Sequence, residues 1–274
     1  MMSPIRKSIL RSRGITLEYV EHGDPAGVPV LMLHGYTDSW HSYELLLPHL
    51  PHALRATAIS QRGHGDSSRP EADYDPRDFA ADVTAFMDAI GIDRAVIVGH
   101  SMGSAIAQRF AALHPHRVIA LVLIGAFMNP GDNAAAREFL DTGVSALIDP
   151  IDPAFARDFQ KSTLHRPVPP AFFETVVRES LKVPAQTWRI VLGQLIAADF
   201  TADRERIEAP TLILWGDRDG FGTHAEQLAL NAAIRSSRLL TYAETGHSPH
   251  WEQPGRVAKE IVEFVDAVVG ERVG

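Results

Sequence analysis

The sequence predicts an α/β fold with a mostly parallel sheet. Three observations carry that expectation. Short β-branched apolar runs recur along the chain, helix-period segments lie between them, and several runs are apolar at nearly every position. Continuous apolarity suits a strand covered on both faces, whereas a strand with one wet face alternates. Strands that alternate with helices favour parallel order, because a parallel crossover needs a helix's length of chain.

Taken in order, an alternating run near residues 15–20, followed by Gly23-Asp24-Pro25, reads as an antiparallel entry hairpin. Strand runs follow at Val28–Leu33, 53–59, 95–98, Val118–Ile124, 211–215 and 238–242. Asp75-Pro76 offers an N-cap and a first-turn proline. Beyond it Phe79, Val83, Phe86, Met87 and Ile90 share one face, and Gly91 ends the helix. A last helix starts near Pro254, with Val257, Ile261, Phe264, Val265 and Val268 on one stripe. Between about Asn129 and Glu208 the strand runs stop. Prolines there separate two helical segments, one carrying Phe172, Phe173, Val176, Val177 and Leu181, the other Trp188, Val191, Leu192, Leu195 and Ile196. A helical block between two strand-bearing halves reads as an inserted cap.

The chain has 274 residues, 45% of them hydrophobic, and a net charge of −8. That is a globular composition, and the acidic balance argues against nonspecific nucleic-acid binding, which needs a basic face. Cysteine is absent, which excludes disulfides, thiolate metal sites and a cysteine nucleophile. The first residues carry Arg6, Lys7, Arg11 and Arg13 without an apolar stretch of signal-peptide length, and no run reaches the ~18 apolar residues of a membrane span. A cytoplasmic, membrane-free protein is expected. The acidic run 71–82 reads as a solvated face. His114 and His116 lack a third ligand, Phe221 stands where a calcium loop needs an oxygen, and no phosphate-cradling loop occurs, so no metal and no cofactor are expected.

Gly99-His100-Ser101-Met102-Gly103 matches G-x-S-x-G between a strand run and a helix-period run. Strand, sharp turn, helix is the context in which such a serine projects its hydroxyl outward. The flanking glycines let strand and helix approach, and the helix aims its free N–H groups at the reacting oxygen. A serine hydroxyl needs a base, and the base an orienting acid. Asp217 and Asp219 compete for the acid in Gly216-Asp217-Arg218-Asp219-Gly220. His247 and His250 compete for the base, with Gly246 favouring His247. Both loops follow strand ends, where open α/β sheets place their sites. Oxyanion donors are expected from the amides of Met102 and of Tyr36, in the loop His34-Gly35-Tyr36-Thr37-Asp38-Ser39-Trp40.

Together these motifs, with Arg62-Gly63-His64-Gly65-Asp66-Ser67 and the run from Gly246 to Pro254, resemble the α/β-hydrolase superfamily, specifically its capped serine hydrolases. The resemblance implies an eight-stranded, mostly parallel sheet with helices on both faces and an inserted helical cap. It divides the chain into core 1–128, cap 129–208 and core 209–274. It points to Asp219 over Asp217 and to His247 over His250, giving Ser101, Asp219 and His247 as catalytic residues, with Tyr36 and Met102 as oxyanion donors. Ser60 and Gln61 stand where relatives carry aspartate and leucine, which should alter local loop packing. Serine at position 101 argues against the dehalogenases and epoxide hydrolases of this fold, which use aspartate. The implied activity is hydrolysis of a small-to-medium carboxylic ester or lactone, by a monomer or homodimer with a small-molecule substrate. Large apolar residues of rim and cap suggest a pocket lined by Trp40, Phe127, Met128 and Trp188. Other readings on the same machinery are carbon–carbon bond or enol-lactone hydrolysis and cofactor-free perhydrolysis or haloperoxidation. A ligand-binding signalling protein with slow turnover is the reading of another class.

Overall fold

A computed structural model describes residues 6–12 and 14–271. Arg13 and the first five residues, on which part of the leader reading rests, lie outside them. Eight strands form one sheet: β1 (Arg6–Ser12), β2 (Ile15–Gly23), β3 (Val28–Leu33), β4 (Leu54–Ile59), β5 (Ala95–His100), β6 (Val118–Ile124), β7 (Thr211–Gly216) and β8 (Ser237–Tyr242). Their order is β1-β2-β4-β3-β5-β6-β7-β8. β2 runs antiparallel to β1 and β4, and every other pairing is parallel.

The apolar runs are continuous because their alternate residues serve two cores. Leu31, Leu33, Ile97, Leu121, Leu123 and Ile213 join one cluster with Phe79, Val83, Phe86, Ile106 and Phe110. Val30, Met32, Val96, Val98, Val122, Ile124, Leu212 and Leu214 join another with Val257, Ile261 and Val265. The first cluster takes its partners from α1 (Pro76–Ala89) and α2 (Met102–Leu113). Five further helices, α3 (Ala134–Glu138), α4 (Pro153–Ser162), α5 (Pro170–Lys182), α6 (Ala185–Ala197) and α7 (Thr201–Arg206), lie between β6 and β7. After β7 come α8 (His224–Ala233), α9 (Pro249–Glu252) and α10 (Pro254–Glu271), whose apolar stripe covers the second face. Among the described residues, no helix is long and apolar enough to cross a membrane.

Two expectations need correction. The turn Gly23-Asp24-Pro25 does not fold β2 back onto β3. β2 pairs with β1 and β4 instead, because the chain crosses over β4's place before starting β3. The acidic run is only partly a solvated face. Asp75 and Asp78 form the reciprocal cap of α1, and Asp82 grips the Arg62 guanidinium at 2.6 Å with both side chains largely buried. Ser60 and Gln61 are both bonded within their loop. Ser60 Oγ donates to Glu18 and accepts the Trp40 N–H, while the Gln61 N–H donates to His34 Nε2 at 2.9 Å.

His34, His64, His100 and His250 are all buried. Burial holds His64 down to about 4 and His250 to about 3, and holds His34 and His100 well below the usual histidine value. A group depressed by folding stabilises the native state above its unfolded value, and the contribution is lost as pH falls through the folded value. For a histidine such as His64 the loss reaches about 3 kcal/mol. The buried Asp38 carboxyl, held up to about 7, acts in the opposite direction, but it is one group against four. The urea midpoint should therefore be highest near pH 7–8 and fall continuously from pH 6.5 towards 4. His64→Gln should shallow that fall. A midpoint flat from pH 7 to 5 would contradict this account.

Candidate active site

β5 ends at His100 and α2 begins at Met102, so the whole reversal is made at Ser101. Its backbone sits at φ 52°, ψ −117°, a conformation that costs a non-glycine residue roughly 1–3 kcal/mol. Tertiary bonds hold it there. The Ser101 N–H donates to the Ile124 carbonyl of β6 at 2.9 Å, and the Ser104 N–H and hydroxyl both donate to the Ser101 carbonyl. Close packing adds to the constraint, since a Cβ on Gly103 would lie 2.1 Å from the Leu33 carbonyl oxygen. Ser101 borders a cavity of about 110 Å³ at the C-terminal ends of the parallel strands.

His247 borders the same cavity. Its Nδ1–H donates to Asp219 Oδ2 at 2.9 Å. Asp219 is itself fixed, because its other oxygen accepts the N–H groups of Phe221 at 2.7 Å and Gly222 at 3.2 Å. Carboxylate and imidazole are both almost fully buried, so the pair is set in one geometry and the imidazole's Nε2 is left for other partners. His247 also donates its backbone N–H to Thr163 between α4 and α5. Gly125, at φ +53°, gives the ring room, since a Cβ there would lie 3.0 Å from it.

The competing residues are placed differently. Asp217 accepts only a long bond from the Thr245 N–H, at 3.4 Å, and lies 3.8 Å from Arg218. His250 meets Ser42 Oγ through Nε2 at 3.1 Å and packs on the His100 ring at 4.3 Å. Neither enters the Asp219–His247 pair. Tyr36 lies three residues past the end of β3 and borders the cavity, and Met102 follows Ser101 directly as the first residue of α2. Among the described residues, neither amide N–H has a backbone acceptor. The Tyr36 side chain does something else, donating its hydroxyl to the Trp188 carbonyl of α6 at 2.7 Å.

Of the pocket residues expected from composition, Phe127 lines the cavity and Trp40, Met128 and Trp188 do not. Trp40 stacks on His41 at 3.7 Å within the second core. Met128 is fastened through its carbonyl to Arg204 at 2.7 Å. Trp188 is fully buried, its ring against the edges of Tyr36, Phe155 and Phe159. Large apolar side chains suggest burial at such positions without stating which side of the helix or loop they face. The actual wall comes largely from elements between β6 and β7: Pro130, Ala135, Phe139, Phe159, Leu192 and Leu195, with Phe221 and Trp251 opposite.

Asp38 and Gln160, which sequence reasoning did not select, also face the cavity. Burial pushes the Asp38 carboxyl up to about 7, opposed by hydrogen bonds from Gln160 and Ser42 and by the His247 charge. The His100 imidazole comes within 3.9 Å of it. Burial and the neighbouring histidines hold His100 far below the usual value, so the contact is not an ion pair. The signal for Asp38 was a single carboxylate in a loop at a strand end. Gln160 had none, being one polar residue on an amphipathic helix.

The close packing of the Ser101 turn has a direct consequence. Gly103→Ala should lower stability by about 1–3 kcal/mol, read by urea or thermal unfolding, because the new methyl meets backbone and not a flexible side chain. Wild-type stability in that variant would contradict the described packing.

Comparison with known proteins agrees with the architecture. The family model described as alpha/beta hydrolase fold matches residues 28–254. An AB hydrolase superfamily protein of Bacillus subtilis (strain 168) is 27% identical over 247 residues, covering 87% of this chain and 91% of the relative. A non-heme chloroperoxidase of Streptomyces lividans is 28% identical over 276 residues, covering 92% and 98%. Among solved structures, an esterase from Rhodococcus sp. ECU1013 superposes with a TM-score of 0.82 at 25% identity, covering 96% of this chain and 99% of that one. With its matched span, its eight-stranded mostly parallel sheet and its serine at the β5–α2 turn, the chain belongs to the α/β hydrolase fold family.

Proposed function

We propose that the chain is a serine hydrolase of carboxylic esters or lactones, working through an acyl-enzyme. One observation carries the reading: Ser101, in a strained turn, borders the same cavity as a histidine whose far nitrogen is tied to a buried carboxylate at 2.9 Å. The similarity to a Rhodococcus esterase supports it.

In this reading the Ser101 hydroxyl attacks the substrate carbonyl carbon while His247 Nε2 takes its proton. Asp219 keeps the proton on Nδ1 and stabilises the imidazolium that forms. The Tyr36 and Met102 amides donate to the oxyanion, a contribution of about 3–4 kcal/mol per donor. Collapse of the intermediate expels the alcohol, which takes the proton from His247. Water, activated by the same imidazole, then releases the acid and restores Ser101. Positions 129–208 act as a cap that shapes the substrate space, and the apolar wall suits a compact, mostly hydrocarbon acyl or alcohol group.

A second reading has a specific support, the likeness to a non-heme chloroperoxidase. There the same acyl-enzyme would be attacked by hydrogen peroxide in place of water, giving a peracid, with no change in the role of any residue named above.

A panel of aryl esters tests the proposal. Ser101→Ala should lose at least about 10⁴-fold in kcat and keep the wild-type unfolding midpoint. His247→Gln should lose a similar factor, and the double variant should be no slower than either single one, because the two groups act as a unit. Near wild-type turnover in Ser101→Ala, or additive losses in the double variant, would overturn the assignment.

A further inference from the structure

Apart from Ser101, His247 and Thr163, the polar side chains on the largely apolar cavity wall gather at one corner, where Asp38, His100 and Gln160 meet. All three are at most 3% exposed. Gln160 spends both amide hydrogens on neighbours, one on Asp38 Oδ1 at 2.9 Å and one on Ser180 Oγ at 2.8 Å. Its Oε1 is buried without a partner. His100 donates Nε2–H to the His247 carbonyl at 3.2 Å, so its Nδ1 carries a lone pair, and that atom is also buried without a partner. Asp38 Oδ2 receives a long contact from Ser42 Oγ at 3.4 Å, a hydroxyl shared with His250, and the Gly35 backbone N–H also bonds the carboxyl. The corner therefore holds more acceptors than donors. A buried acceptor left unpaired costs about 1–3 kcal/mol, and a ligand that brings a donor recovers that.

Resting on the ester-hydrolase reading, we propose that this corner is a specificity subsite for a hydroxyl group, so that the preferred substrates are hydroxylated esters or lactones with the hydroxyl a few atoms from the carbonyl. A carboxylate or phosphate would face acceptors and be rejected. An ammonium would find acceptors there, but it would have to give up its water for a hydrocarbon wall formed by Phe127, Phe139, Phe159 and Leu195, a larger desolvation cost than a neutral hydroxyl bears. A hydroxyl needs one acceptor and can also accept from the Asp38 carboxyl when that is protonated.

The charge on Asp38 grades the effect. The groups facing it are His100 from β5, Ser42 and Tyr43 from the turn after β3, Gln160 from α4, and His247 and His250 from the segment after β8. His100 and His250 stay neutral through the working range because burial disfavours their charge. Asp38, held up to about 7, ionises there, and a hydroxyl donates more strongly to a carboxylate than to a carboxylic acid. Preference for the hydroxylated substrate should therefore grow as pH rises through 7. Taking the ratio of two substrates on one enzyme cancels the titration of His247.

The test compares kcat/KM for p-nitrophenyl butyrate with its 3-hydroxy, 4-hydroxy and 3-amino counterparts at pH 6 and pH 8. One hydroxylated ester should be preferred at least 10-fold at pH 8 and less at pH 6. Gln160→Met should bring the ratio to within about two-fold, and Asp38→Asn should remove its pH dependence. Equal rates for all esters, preference for the amino ester, or a ratio unchanged in both variants would overturn the proposal and leave the hydrolase reading standing. If no ester is turned over, the hydrolase reading fails instead. Calorimetric binding of methyl 3-hydroxybutyrate and methyl 4-hydroxybutyrate against methyl butyrate to Ser101→Ala then decides the subsite by itself, since tighter binding of either hydroxy ester supports it and equal binding of all three overturns it.

Discussion

The turn at Ser101 is the constraint on which the rest depends. A non-glycine residue at φ 52° does not stay there by its own preference. It stays because β5 before it is fully buried between β3 and β6, and α2 after it is packed against the sheet so closely that Gly103 touches the Leu33 carbonyl. Neither element can relax without opening the core. The cost is met by some of the most deeply buried strands of the protein, and the result is a hydroxyl presented beyond the sheet edge with a helix N-terminus directly behind it.

The same logic places the partners. Parallel strands end on one side, so the loops after β3, β5, β6, β7 and β8 all converge there. Tyr36, Ser101, Phe127, Asp219 and His247 each lie in or just after one of these strand ends. The helices between β6 and β7 close the space from above and are tied to the core by polar contacts. Tyr36 donates to Trp188, Thr37 meets Ser180 at 3.1 Å, His247 donates to Thr163, and Arg109 of α2 pairs with Asp203 of α7 at 3.1 Å. Such anchoring holds the apolar wall in place, and low polarity there strengthens the charge interactions that remain. It also explains why a carboxyl like Asp38 resists ionisation inside the wall.

Much of this was legible in the sequence, for physical reasons. Strands that feed two cores must be apolar throughout, so β3, β6 and β7 declared themselves. Asp75-Pro76 marked the start of α1 because the capping chemistry is local. Ser101 could be singled out because it sits in a glycine-flanked turn at a strand end, whereas Asp219 was preferred to Asp217 through the family resemblance, and His247 to His250 through Gly246 together with that resemblance. β1 was missed, since its residues RKSILRS carry too few apolar side chains to register as a run and it pairs with β2 at the sheet edge. The entry hairpin was misplaced because a turn signal does not say which strand the chain will join. Trp40, Met128 and Trp188 were misassigned to the cavity because residue type encodes burial and not direction. The Asp38–Gln160 bond joins positions 122 residues apart, and no local pattern announces such a meeting.

The most direct measurement of the central claim is covalent trapping. The protein is incubated with an alkyl fluorophosphonate, which reacts only with a serine already activated by a neighbouring base, and the adduct is mapped by peptide mass spectrometry. The account predicts a single adduct on the peptide containing Gly99-His100-Ser101, formed at a stoichiometry of about one and suppressed when His247 is replaced. Labelling at another serine, or no labelling of the folded protein, would contradict it.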